Sequence, residues 1–240
     1  MKNSYKAAIV AALAMATVSA ANAAGSYTAN DLLVGFTTQS GNDLIYDLGS
    51  ESSVLNGTAS YAGLDSLLTS TYGSSLSGVS WGVIGNGVNS GTVRTAYTTT
   101  VQGVVPNTYI GSTAFSKLNN AAGTLANNNF TSASVAGDSA TVAASLAYSW
   151  NTETLNGTLT SDYVNAYENP NVTGATSADF SQVNNDGSDP TLLGDFSLGS
   201  NGTSDALTFN PVPEPTTLGL LGGAGVLLLA FRNKLGRKQA

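Results

Sequence analysis

Residues 31–49 read DLLVGFTTQSGNDLIYDLG, and this stretch decides the fold of the chain. Apolar side chains at Leu32, Val34 and Phe36 alternate with other residues, as expected for a strand with one buried face. The letters SGND that follow are typical of a turn, and residues 44–48 then return as a second strand. The stretch therefore predicts a β-hairpin near the start of an antiparallel sheet.

Later segments follow one of two hydrophobic periods. Three have apolar residues at helical spacing, whereas five alternate or are rich in β-branched residues. The predicted helices cover residues 60–73, with Ser60 as N-cap and Gly73 as the end, then 112–126, and then 140–150, where helix is favoured over strand. The predicted strands cover residues 79–84, 92–101, 179–183, 191–198 and 206–209.

These segments together predict a mainly-β fold. The last three strands are separated by turn-rich stretches at residues 184–190 and 199–202, which indicates a β-meander. We expect a sandwich-like or curled antiparallel sheet with two or three short helices on its face or edges. The chain divides into residues 1–23, an exported acidic domain at 24–210 and a tail at 211–240.

Charge is distributed unevenly along the chain. There are 8 Lys+Arg and 15 Asp+Glu, which give a net charge of −7 at pH 7. Between the two ends, Arg94 and Lys117 are the only basic residues, whereas every acid except Glu214 lies there. Such a surface repels nucleic-acid phosphates and anionic lipid head groups, which need Lys and Arg to neutralise them. The composition therefore argues strongly against a nucleic-acid partner.

The sequence contains no cysteine and no histidine. A thiolate nucleophile, the usual zinc ligands and a Ser-His-Asp triad are therefore all missing. Catalysis would have to rest on carboxylates, Tyr, Lys117 or hydroxyl groups. We expect no enzyme activity, no cofactor and no metal site. The 27 glycines and the 10% of charged residues are typical of a turn-rich β protein outside the cell.

The N-terminus has the three parts of a secretory signal peptide. Two lysines precede an apolar run at residues 7–18, and Ala21 and Ala23 are the small residues that signal peptidase reads. We expect cleavage between Ala23 and Ala24, with the Sec machinery and signal peptidase as partners. A retained N-terminal anchor is less favoured, because the apolar run is short for a bilayer core of about 30 Å.

The C-terminal tail begins with prolines that keep the junction extended. Residues 216–231 then form a 16-residue apolar run, which is about 24 Å long as a helix. We expect a transmembrane helix there, although it is short for a permanent anchor. The basic residues that follow should stay on the cytoplasmic side of the inner membrane. They are Arg232, Lys234, Arg237 and Lys238.

The motif Val212-Pro213-Glu214-Pro215 precedes this apolar run, and the basic end follows it. In this order the three parts resemble the PEP-CTERM sorting domain, a tail element that also carries the label ice-binding protein C-terminal domain. The resemblance implies recognition by an exosortase, an inner-membrane cysteine transpeptidase that cleaves at the motif and releases or relocates the protein. Its substrates are exported proteins of bacteria that make exopolysaccharide and biofilm.

This resemblance covers about thirty residues and implies no activity for the domain before them. It implies a protein that is exported through the inner membrane, anchored there transiently and then delivered to the cell surface or the extracellular space. The alternative is an ordinary single-span anchor that is never removed, since retention before processing follows the same physics in both cases. The Pro-Glu-Pro junction favours processing.

Three groups of residues suggest more specific chemistry. Residues 184–189 offer oxygen ligands to calcium, but their spacing does not fit an EF-hand, so a plain hairpin turn is favoured. Asp43 and Asp47 lie at even spacing on a predicted strand, where they could pair as in glycosidases. We expect them instead to be solvated. The run Thr98–Thr100 is similar to the threonine arrays of ice binders, but it has no repeat.

Aromatic residues offer a last functional signal, because aromatic faces stack on sugars. We expect most of them to lie in the core. They are Trp81, Tyr97, Tyr109, Trp150, Tyr163 and Tyr167. The sequence as a whole predicts a non-catalytic protein of the cell surface or the extracellular matrix. The alternative is a carbohydrate-binding module whose partner is the exopolysaccharide of its own cell.

Overall fold

The computed structural model describes residues 27–28, 30–57, 59, 61, 63–87, 95–106, 112–130, 136–156, 171–174, 176–199 and 207–212. Across these ranges the chain forms nine strands in one sheet. The strands are β1 (Asp31–Thr37), β2 (Asn42–Ser50), β3 (Ser80–Asn86), β4 (Thr95–Thr100), β5 (Ser139–Ala143), β6 (Val172–Thr173), β7 (Ser177–Asn184), β8 (Thr191–Leu198) and β9 (Leu207–Pro211).

The sheet has the strand order β5-β2-β1-β3-β4-β7-β8-β9, and β6 pairs with β3. Every pairing is antiparallel. The predicted hairpin is β1–β2, with Phe36 opposite Leu44 and Val34 opposite Tyr46. The predicted meander is β7–β8–β9. The mainly-β prediction is therefore confirmed, in its curled antiparallel form.

Four helical segments accompany the sheet in the described residues. They are α1 (Glu51–Leu55), α2 (Leu64–Tyr72), α3 (Ser112–Asn129) and a π-helix (Asn151–Asn156). α1 was not predicted, although Ser50 caps it by accepting a hydrogen bond from the Ser53 N–H at 3.3 Å. The N-cap of α2 is Gly63, in the left-handed conformation, so the predicted cap at Ser60 is wrong. Gly73 ends α2 as predicted.

One face of the sheet, here called the front face, carries the larger core. Leu32, Val34 and Phe36 of β1 lie on it beside side chains from β2, α1 and α2. The same cluster includes Phe196 and Leu207, which belong to the opposite end of the strand order. α1 contacts both β2 and β9. The sheet therefore curls around its front face and brings its two ends toward one core.

The opposite, back face is covered by α3 and the π-helix. Leu33, Ile45 and Ile84 alternate with the front-face residues along their strands and pack against helical alanines and Trp150. The indole of Trp150 lies directly on Gly35, where an added Cβ would come within 1.8 Å of the ring. Because β1 is covered on both faces, all seven of its residues are buried.

The helix predicted at residues 140–150 is wrong. Residues up to Ala143 form β5, which extends the sheet by pairing with β2. Turns follow, in which Leu146 is 36% exposed, and the π-helix begins after Trp150. Spacing by four residues placed Val142, Leu146 and Trp150 on one helical face. The available edge of β2 determined the structure instead, as tertiary context often overrides local pattern.

None of the helices in the described ranges is long and apolar enough to cross a membrane. The predicted signal peptide at residues 1–23 and the predicted transmembrane segment at 216–231 both lie outside those ranges.

Candidate functional site

The predicted delivery residues fall mostly beyond the described ranges. Ala21, Ala23 and Ala24 at the predicted signal cleavage site lie outside them, as do Pro213, Glu214 and Pro215 of the motif and the basic residues Arg232, Lys234, Arg237 and Lys238. Val212, the first residue of the motif, is described and is 41% exposed. Among the predicted delivery residues, Val212 is therefore the one whose surroundings the structure describes.

β9 leads directly into this junction. It pairs with β8 from Leu207, opposite Leu198, to Pro211, opposite Gly194. The N–H of Val212 then donates a hydrogen bond of 2.9 Å to the carbonyl of Leu193. The sorting motif thus begins at the residue that follows the last paired residue of the sheet.

Side chains on both faces of β9 hold it to β8. The Asn210 amide donates to the Asp195 carboxylate at 3.0 Å and lies 3.1 Å from the Ser197 hydroxyl. On the front face, the ring centroid of Phe209 lies 5.0 Å from that of Phe196 and 5.8 Å from that of Phe180. Such aromatic contacts add to the stabilisation from buried area.

Gly194 of β8 permits this close pairing. A Cβ added at Gly194 would lie 2.3 Å from the Asn210 carbonyl oxygen and 2.7 Å from the Phe209 ring. Because one of those atoms belongs to the backbone, any larger residue would push β9 away from β8. No sequence motif indicated this role of Gly194.

A separate open groove lies where the α2–β3 connection meets the ends of β6 and β8. Its volume is about 380 Å³, within the range of small-ligand sites. Leu76, Val79, Trp81 and Leu198 form its apolar part, and hydroxyl groups line the rest. The residues that contribute the hydroxyl groups are Ser74, Ser75, Ser77 and Thr176. The described lining residues carry no charged side chain. No sequence motif indicated this groove.

The predicted aromatic platform divides between core residues and residues outside the described ranges. Trp81, Tyr97 and Trp150 are at most 5% exposed and belong to the two core clusters, so these three confirm the core prediction. Their burial rules out a stacking platform built from their faces. Tyr109, Tyr163 and Tyr167 lie outside the described residues.

Asp43 and Asp47 face the same side of β2 as Ile45, but the expectation that they are solvated is wrong. Both are 0% exposed. Asp43 accepts a 2.6 Å hydrogen bond from the N–H of Asn151, at the start of the π-helix. Asp47 accepts one of 2.6 Å from the N–H of Gly49. Backbone donors therefore make the burial of these carboxylates possible.

Burial raises the pKa of Asp43, and the hydrogen bond from Asn151 opposes that rise without cancelling it. Next to it, Trp150 donates from Nε1 to Asn171 at 2.6 Å, and the Asn171 amide donates to Thr154 at 2.9 Å. The Thr154 hydroxyl donates back to the Trp150 carbonyl at 2.7 Å. This closed network anchors the π-helix to the sheet.

The candidate calcium turn is an Asx turn. The N–H of Ser188 donates to the Asp186 carboxylate at 2.9 Å, which is the arrangement of a plain hairpin turn. Hydrogen bonds from the Ser188 hydroxyl and N–H lower the pKa of Asp186. In the described residues, no group of three or more acidic side chains is arranged to hold a metal ion.

Comparison with known families concerns the junction and the tail. A family model, the PEP-CTERM protein-sorting motif, matches residues 211–238. The tail of the chain therefore carries a PEP-CTERM protein-sorting motif. The matched range includes Val212-Pro213-Glu214-Pro215 and begins at the last residue of β9. The ice-binding label of the tail gains no support from this match.

A PEP-CTERM motif marks a protein for export, membrane-anchored sorting and processing by an exosortase. No curated protein and no solved structure matches the chain. The comparisons therefore concern the sorting motif in the tail, and a function for the β domain has to be argued from its own geometry.

Proposed function

We propose that the β domain is a non-catalytic component of the cell surface or the extracellular matrix, placed there by exosortase sorting. The observation that carries the proposal is the direct connection between the last strand and the sorting motif at Val212. The acidic charge of the domain supports the proposal, because it keeps such a protein soluble and away from anionic lipids once released.

The positions of Asp43 and Asp47, the two carboxylates considered as a catalytic pair, also favour a non-catalytic role. Asp43 and Asp47 are four residues apart on one strand, which separates their Cα atoms by about 13 Å. Glycosidase carboxyl groups lie within about 10 Å of each other and open onto a cleft. Both aspartates are fully buried instead, and Asp43 is bonded to the first residue of the π-helix.

Localisation of the full-length protein tests this proposal. A tag inserted in the exposed turn at Gly187 reports where the domain goes, and a second tag after Ala240 reports whether the tail is retained. In exosortase-containing cells, we expect the domain at the surface or in the medium without the second tag. In exosortase-deficient cells, both tags should remain in the inner membrane. Loss of the second tag in the deficient cells would contradict the proposal.

A second candidate function is binding of the cell's own exopolysaccharide. It is favoured by the groove beside Trp81, whose neutral lining combines an apolar part with serine and threonine hydroxyls. Neutral sugars present both hydroxyl groups and apolar C–H faces, so such a groove would match them.

Filling the groove separates the two candidates. Processed protein carrying Ser77→Trp should lose at least about tenfold in affinity for the polysaccharide, because the indole would occupy the cavity. Ser66→Trp, on an exposed position of α2 outside the groove, is the matched control. Equal binding by wild type and both variants would remove the groove from consideration, and no binding by any of them would favour the first function.

A further inference from the structure

The folded sheet and the sorting motif overlap in this chain. The family match begins at Pro211, which is also the last residue of β9 and lies opposite Gly194. Val212 continues the attachment through its hydrogen bond to Leu193. From Val212 to the first residue of the apolar segment, Thr216, there are only three intervening residues. Fully extended, those three residues span at most about 11 Å.

An enzyme that cuts at the motif needs the chain on either side of the cut in an extended, accessible form. Sites that bind extended peptides do so mainly through the backbone N–H and C=O groups of the peptide. In β9 the N–H and C=O groups that face β8 are paired with it. The sheet therefore competes with the enzyme for the residues immediately before the motif.

We propose that release of β9 from β8 is a required step in exosortase processing. In this scheme, Gly194 and Asn210 are positioning residues, which set how often the strand is released. The inference rests on the proposed delivery by exosortase, and it adds that the stability of the junction controls the rate of processing.

Several features allow β9 to open from the end nearest the motif. Within the part of the chain that the structure describes, β9 is an edge strand of five residues whose partner in the sheet is β8. The outermost contacts are the single hydrogen bond from the Val212 N–H to Leu193 and the contacts of the exposed Asn210 side chain, so few and solvent-accessible contacts break first. Phe209, which is partly buried among aromatic rings, is the deeper anchor. Release down to Phe209 therefore costs far less than unfolding the domain.

The first test releases β9 by substitution. Gly194→Ala places a Cβ against the Asn210 carbonyl, so β9 must move away from β8. Gly123→Ala is the matched control, because the nearest atom to its added Cβ lies 3.8 Å away. In full-length protein carrying a tag after Ala240, pulse–chase labelling should show tag removal several-fold faster for Gly194→Ala. The control should stay within about twofold of wild type.

The second test locks β9 in place. Ser197 and Thr208 lie directly opposite each other on β8 and β9, and the natural chain has no cysteine. In a Ser197→Cys/Thr208→Cys variant this is therefore the only disulfide possible within one chain, and it can form in an oxidising compartment outside the inner membrane. The disulfide-bonded fraction, measured by thiol alkylation, should be processed at least about tenfold more slowly than the reduced fraction. Each single cysteine variant, with and without reductant, controls for effects on the enzyme.

Processing of the disulfide-bonded fraction at the wild-type rate would overturn the inference. So would a rate at or below wild type for Gly194→Ala if hydrogen exchange shows that β9 is released in that variant. Failure of the underlying delivery would look different, because the wild-type chain itself would then keep its tag in exosortase-containing cells.

Discussion

β1 and β9 belong to one sheet but have opposite environments. β1 pairs with β2 on one side and β3 on the other, and all seven of its residues are buried. β9 pairs with β8, and three of its five residues are exposed. Since an edge strand can open without disturbing the rest of a sheet, the same architecture provides a rigid centre and a releasable connection to the tail.

The largest difference in the free energy of unfolding should appear when a phenylalanine ring is removed from β1 and, separately, from β9. Phe36→Ala deletes a fully buried ring that stacks on Trp81, and we expect it to lower the free energy of unfolding by about 4 kcal/mol. Phe209→Ala deletes a partly buried ring and should cost about 2 kcal/mol. Urea unfolding of the purified proteins measures both. Equal losses of unfolding free energy in the two variants would mean that β9 contributes as much to the stability of the sheet as β1 does.

The next effect concerns the close packing of Trp150 on β1. Gly35→Ala would put a Cβ 1.8 Å from the indole ring, within a region that has a helix on one side and a paired strand on each edge. We expect a loss of about 3 kcal/mol and reduced near-ultraviolet circular dichroism from the displaced Trp150. Gly123→Ala on α3 should leave the circular dichroism near wild type and raise the free energy of unfolding by up to about 1 kcal/mol, because alanine favours a helix interior over glycine. An unchanged unfolding midpoint for Gly35→Ala would contradict this packing.

Asp43 adds a charge to the same central region. Burial raises its pKa above the usual value of 3.8, so the folded state holds the proton more tightly than the unfolded chain does. Its contribution to stability is therefore fully present below about pH 3.8 and is lost as the pH rises through the raised pKa. The free energy of unfolding of wild type minus that of Asp43→Asn should fall across that window.

Asp186, in the exposed β7–β8 turn, should behave in the opposite way. Hydrogen bonds from Ser188 lower its pKa, so its contribution is present above the unfolded value and is lost as the pH falls through the lowered pKa. Urea unfolding of wild type, Asp43→Asn and Asp186→Asn between about pH 3 and pH 8 compares the two slopes. Slopes of the same sign would show that burial does not determine the behaviour of Asp43.

The elements that could be predicted from sequence are those whose pattern is local. Alternation at Leu32, Val34 and Phe36 gave the hairpin, and turn chemistry around Asp186 gave the meander. β5 could not be predicted in the same way, because its strand conformation depends on the free edge of β2. The burial of Asp43 was missed for a related reason: its partner is the N–H of Asn151, 108 residues further along the chain.

The same division applies to the candidate site. The sorting motif is contiguous in sequence, so it could be recognised from Val212 onward without a structure. The attachment of β9, the strand before that motif, to β8 depends on Gly194 and Asn210. These two residues come into contact only when β8 and β9 pair. A glycine in a strand can signal close backbone approach, and that is the one local signal that could have drawn attention to Gly194.

The smallest effect is the most specific for the edge. Asn210→Ala removes the amide contacts to Asp195 and Ser197, which on an exposed strand should cost about 0.5 kcal/mol. That loss should leave the global unfolding midpoint nearly unchanged, because β9 can open while β1 stays closed. Hydrogen exchange in β9 should then become about twofold faster, with exchange in β1 unaltered. Thr208→Ala, at another exposed position of β9, controls for the change in strand propensity. Faster exchange in β1 as well would mean that β9 does not open independently, and the junction could not then act as a separate step in processing.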